Sequence, residues 1–149
     1  MNTVDTIELL NKLVVTAKNG EQTLRAAAEE AHHPQLKDSL QEGSDFFKRA
    51  ASDLQAAIRS IGGKPRELGS FDNTVHRTWM HLKSTALGRD ESELLDMLEE
   101  DEAQFERQFA VAAAREDIGP DIHAMLERQY QGTQRQHEEI RGWQHLQLH

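Results

Sequence analysis

Only three prolines interrupt this chain of 149 residues, at positions 34, 65 and 120. Proline lacks the backbone N–H and clashes with the preceding turn, so it is tolerated at a helix start and breaks a helix interior. Long proline-free stretches therefore remain. They are rich in Ala, Leu, Glu, Gln, Lys and Arg, the residues that lose least on entering a helix. No run of alternating β-branched residues argues for a strand. The chain is predicted to be all-α and, at this length, a single domain able to bury a core without disulfides or a structural metal.

Apolar spacing places the helices. A first helix over about 4 to 31 carries Ile7, Leu10, Val14, Ala17, Leu24, Ala28 and Ala31 on one face, a heptad-like seam in which one member, Glu21, is not apolar. A second, over about 35 to 61, carries Leu36, Leu40, Gly43, Phe47, Ala50, Leu54, Ala57 and Ile61, and stops at Gly62-Gly63. A short helix is expected over about 73 to 87, with Asp72 as N-cap and Val75, Trp79, Leu82 and Ala86 facing inward. A third long helix, over about 91 to 115, opens on an Asp90/Glu93 capping pair and carries Leu94, Leu95, Leu98, Phe105, Phe109 and Ala112, with Glu102 in the gap. A fourth, over about 120 to 144, carries Ile122, Leu126, Ile140 and Trp143, with Gln129, Tyr130, Thr133, Gln136 and His137 on the same face between them.

Short connections make the first and second long helices antiparallel neighbours, and likewise the third and fourth. Residues 62 to 90 are enough to cross a bundle from end to end. The favoured fold is therefore a four-helix bundle with one long crossover carrying the short helix. An up-down-up-down bundle with a decorated loop is the competitor.

Composition removes several functions. With no Cys, thiolate metal sites and cysteine nucleophiles are absent. A net charge of −9 argues against nucleic acid or an anionic membrane surface as partner. No apolar run approaches a membrane span, and Met-Asn-Thr-Val-Asp at the start predicts no secretory leader. A cytoplasmic protein is expected.

The polar interruptions carry the functional question. In the crossover topology Glu21, Glu102 and the Gln129/Thr133/His137 patch fall in one layer; in the competitor Glu21 and Glu102 lie nearer opposite ends. A carboxylate on a seam is costly to desolvate unless it is paired, hydrogen-bonded or metal-bound. Ferritin-type dimetal sites draw a Glu from each of two helices and Glu-x-x-His from each of the other two, and such ligands suit Fe, Mn or Zn. Here the fourth helix reads Gln134-Arg135-Gln136-His137, and the second offers only Glu42 and Asp45 beside its seam. Three expectations are open. In one, Glu21, Glu102, Tyr130 and His137 form a buried hydrogen-bonded network. In the second, Glu21, Glu102 and His137 are ligands of a single or degraded metal site. In the third, a full redox-active dimetal centre is present. The remaining members of Glu99-Glu100-Asp101-Glu102 are expected on a solvated face. Asn19-Gly20 is expected to mark close helix packing, His32-His33 a solvated turn, Trp79 a plug for the crossover, and the end from Trp143 onward a fraying segment.

Lys18-Asn19-Gly20-Glu21, Pro34-x-Leu36-Lys37, Leu54 to Gly62-Gly63-Lys64-Pro65, His76-Arg77-x-Trp79-Met80-x-Leu82-Lys83 and Arg128-Gln129-Tyr130 with His137 occur in that order. Together they resemble an uncharacterised, mostly proteobacterial family of four-helix-bundle proteins, a domain of unknown function of the ferritin-like superfamily. The resemblance spans nearly the whole chain and implies a ferritin-like bundle. The superfamily pattern of metal ligands maps here onto Glu21, Glu102 and His137 alone. The resulting expectation is a non-enzymatic cytoplasmic bundle that is stress-associated or binds a protein partner, with homo-oligomers in view. Its alternative is a metal-binding storage protein or oxidase.

Overall fold

The computed structural model describes residues 1–67 and 91–147, and these form four α-helices: α1 (Thr3–Glu30), α2 (Pro34–Ser60), α3 (Ser92–Ala113) and α4 (Pro120–Gln147). Among the described residues there is no strand. The expected short helix over 73 to 87, with Trp79, His76 and His81, lies outside them.

Local chemistry sets the helix ends. Asn2 Oδ1 accepts the Asp5 amide at 2.8 Å and caps α1. Pro34 opens α2 at the position where its missing N–H costs nothing, and His33 Nδ1 accepts the Gln35 amide at 3.2 Å. At the other end of α1, the Lys37 ammonium donates to the Ala28 carbonyl at 2.5 Å, satisfying a last-turn acceptor from the neighbouring helix. Gly62 takes φ +85°, and its amide returns to the Arg59 carbonyl at 3.0 Å, so the left-handed stop of α2 is where the double glycine predicts it. Two expectations change. Glu91, not Asp90, is the N-cap position of α3, and its carboxylate makes no cap bond. Instead Glu91 accepts the amides of His32 and His33, docking the α1–α2 turn onto the start of α3. The end of the chain also stays helical through Gln147, with the Trp143 ring edge-on to His33 at 5.0 Å.

These contacts give the helix directions. Glu91 meets His32 at one end, while the Met1 amino group donates to the Asp117 carbonyl at the other, so α1 and α3 run antiparallel. Ser39 donates to Glu139 at 3.0 Å and Gln129 to the Ala50 carbonyl at 3.4 Å, so α2 and α4 are antiparallel too. The helices form a ring in which α1 touches α2 and α3, and α4 touches α2 and α3. Both α2 and α3 begin at the end where Glu91 and His32 meet.

The core follows the predicted seams. Leu10, Val14, Leu24, Leu36, Leu40, Phe47, Leu54, Leu95, Leu98, Phe109, Leu126 and Ile140 are buried. Gly20 lets α1 and α2 approach closely: a Cβ there would stand 2.8 Å from the Phe47 ring, and the helix runs through it without a break. No helix among the described residues is long and apolar enough to cross a membrane.

Candidate functional site: a buried polar layer

All three singled-out residues are buried: Glu21 on α1, Glu102 on α3 and His137 on α4. Their levels follow from neighbouring bonds. Thr16 donates to Gln108 across α1 and α3, so five residues onward along α1 and five back along α3 bring residue 21 opposite residue 103. Ser44 of α2 donates to the Glu21 carbonyl at 2.8 Å. His137 is bonded to Glu99 and Glu106, which flank Glu102 on α3.

The side chains then part company. Glu21 turns along its own helix, where Arg25 donates to Oε2 at 2.7 Å and the Lys18 ammonium stands 3.8 Å from Oε1. Neither Glu102 oxygen has a hydrogen-bond partner among the described residues, and the side chain is fully buried. Burial pushes its carboxyl up to about 8, and the acids Asp101 and Glu106 push the same way. Burial, with help from Glu100, likewise lifts Asp101 to about 6.

His137 is gripped from both sides. Nδ1 lies 2.6 Å from Glu106 Oε2, and Nε2 lies 2.7 Å from Glu99 Oε1. Glu99 correspondingly sits below the usual carboxylate range, chiefly through that hydrogen bond, with Arg141 3.5 Å away adding to it.

The expected single network of Glu21, Glu102, Tyr130 and His137 is thus divided. The Tyr130 hydroxyl accepts from Gln134 at 3.1 Å, Glu21 pairs within α1, and His137 pairs with α3. The expectation of a solvated acidic run is corrected for Glu99, bonded to His137, and for half-buried Asp101. Glu99 and Glu106 were overlooked as partners of His137, although their spacing of three before and four after Glu102 places all three acids on one helix face.

A ferritin-type dimetal set needs acids from four helices. On α2, Glu42 and Asp45 are exposed. At Gly43 an added Cβ would stand 2.5 Å from Gln136 Oε1 and 2.8 Å from Leu24 Cδ1, so a neutral amide from α4 fills that space. Among the described residues, no group of three or more His, Asp or Glu side chains is disposed to hold a metal ion. The residues present do not assemble the full dimetal set.

Comparison with protein-family models matches residues 5–116 to a domain of unknown function (DUF2383). The match takes in α1, α2 and α3 with Glu21 and Glu102, and stops short of α4 with His137. No curated protein matches the chain.

Proposed function

The chain belongs to the DUF2383 family, a domain of unknown function, and on that premise we propose that it is a non-enzymatic, ferritin-like cytoplasmic bundle that works through protein contacts. The observation that carries this reading is the clamp on His137. One imidazole on α4, held by two carboxylates seven residues apart on α3, sets both the height and the rotation of one helix against the other. Its nitrogens are engaged by protein, and the Glu21 carboxylate by Arg25 and Lys18. Polar groups so arranged act as a register device, a role buried ionic groups play in some bundles. The ferritin-like topology is supported by α2 and α3 starting at one end, which a crossover through residues 62 to 90 would join. A cytoplasmic place is supported by the absence of Cys in the sequence. The partner class includes a second copy of the chain, which light scattering of the purified protein measures.

Elemental analysis after loading with Fe, Mn or Zn and exhaustive dialysis tests the reading. The expected result is far less than one metal per chain and no oxygen consumption with ferrous iron. Stoichiometric retained metal overturns it.

One observation favours a second reading, a metal-binding storage protein or oxidase with Glu21, Glu102 and His137 as ligands. Both oxygens of Glu102 are buried without a partner among the described residues, and a cation is one way to satisfy them. Under that reading Glu21→Ala and Glu102→Gln each release the metal.

A further inference from the structure

A groove of about 240 Å³ lies between α2 and α4. Among the described residues it is lined by Arg49, Arg128 and Arg135, by Asp53 and Gln129, and by the apolar Phe46, Ala50 and Met125. The three arginines are exposed, and none makes an ion pair with any described residue. Asp53 sits in the same groove and pairs with none of them.

This is unusual in a chain with 26 acids and 17 bases. Where acids outnumber bases, guanidinium groups ordinarily find carboxylates. Here three positive charges and one negative face one groove, a local charge of +2 within a chain of −9. Arg128 and Arg135 stand two helical turns apart on α4, so both present to the same side, and Arg49 approaches from α2. Gln129 lines the same groove, where it is buried and its amide nitrogen donates to the Ala50 carbonyl at 3.4 Å.

We propose that this groove binds a small phosphomonoester whose body is an apolar ring or chain. A phosphomonoester carries roughly −1.5 to −2 at pH 7, which matches the local charge, and guanidinium forks bond phosphate oxygens in pairs. Phe46, Ala50 and Met125 give the ester's apolar body a wall to lie on. A polyanion such as nucleic acid is disfavoured by the chain's net charge of −9. The groove's lining includes none of Glu99, Glu102, Glu106 and His137, so the site stands or falls independently of the register function.

Calorimetric titration of the full chain at low ionic strength and pH 7, with phenyl phosphate as probe and inorganic phosphate in parallel, decides it. Saturable one-to-one binding of phenyl phosphate is expected, at least about fivefold tighter than inorganic phosphate. Arg128→Ala and Arg135→Ala should each weaken it about tenfold, the loss of one charge-assisted contact. Arg107→Ala, an exposed arginine on α3 outside the groove, should leave it unchanged. If Arg128→Ala lowers the melting temperature, Arg128→Lys, which keeps the charge and loses the fork, carries the comparison. Absence of saturable binding, equal losses in the groove and control variants, or inorganic phosphate binding as tightly as phenyl phosphate would each overturn the proposal.

Discussion

Glu21 and Glu102 occupy equivalent places, one on the seam of α1 and one on the seam of α3, yet they meet opposite fates. The difference lies in the residues three before and four after each. Glu21 has Lys18 and Arg25 there, while Glu102 has Glu99 and Glu106. Those offsets lie on one face of a helix. The first acid therefore finds two cations on its own helix and pairs with them at the edge of the core. The second is held as a neutral acid by burial first and by like charge beside it second, while Glu99 and Glu106 bind His137 from the facing helix. A helix seam with its own counterions closes its electrostatics locally. A seam without them must draw on tertiary structure, which makes it a site of helix–helix specificity.

The largest expected effect breaks the tertiary arrangement. His137→Ala removes the shared partner of Glu99 and Glu106 and leaves a void between α3 and α4. Losing one member of a buried ionic group costs about 3 kcal/mol, and partial exposure of the two acids lowers this to about 2. Urea unfolding at pH 7 measures it. A loss under about 0.5 kcal/mol would mean that the clamp does not hold α3 to α4.

The next prediction concerns pH. Folded Glu102 keeps its proton up to about pH 8, whereas the unfolded chain releases it near 4.5. Over that window the folded state binds more protons than the unfolded, so stability falls as pH rises from 4.5 toward 8. The Glu99 contribution has the opposite sign. Its carboxyl is depressed by His137, so its contribution is present above the ordinary carboxylate range and disappears as acid protonates it. Glu102→Gln should flatten the upper window and leave the acid limb in place. Unfolding midpoints at pH 5, 7 and 8.5 for both proteins test this, and identical slopes would refute a neutral Glu102.

Much of this contrast was readable from the chain. The helix starts and stops follow Pro34, Gly62-Gly63 and Pro120, because those residues act through local backbone geometry. Glu21 and Glu102 stood out because periodicity reserves their places for apolar side chains. The charge pattern around each was equally visible, but reading Glu99 to Asp101 as a solvated run concealed it. What no local pattern supplies is the rotation of α4 that brings His137 between Glu99 and Glu106, since that depends on how two helices pack. The same reason hid Glu91, whose carboxylate serves the turn at His32 and His33 rather than its own helix. The Arg49, Arg128 and Arg135 groove likewise joins residues of α2 and α4 far apart in sequence.

A charge swap sharpens the comparison further. Lys18→Glu with Arg25→Glu gives Glu21 the neighbours that Glu102 has, without supplying a facing histidine. The double variant should lose about 1–2 kcal/mol, since two favourable pairs become repulsive around a buried acid. Thermal denaturation at low and high salt measures this, and the loss should shrink as salt screens the exposed charges. If the double variant matches the parent, neighbouring charge does not decide the fate of a seam acid in this bundle.

The smallest effect separates the two cations that serve Glu21. Arg25 holds Oε2 at 2.7 Å but is half-exposed, and Lys18 stands back at 3.8 Å. Arg25→Ala should therefore cost about 0.5–1 kcal/mol, the upper range for an exposed pair, because its carboxylate partner is mostly buried. Lys18→Ala should cost less than that, since its contact is longer and it leaves the Arg25 bond intact. If the two effects were reversed, Lys18 would be the principal counterion of Glu21, and pairing along α1 would run through the longer contact. The balance between these two residues bears on Glu102 as well. One well-placed cation four residues on gives Glu21 a partner at the core edge, whereas the matching place beside Glu102 holds Glu106, whose like charge adds to the burial that keeps the Glu102 carboxyl protonated.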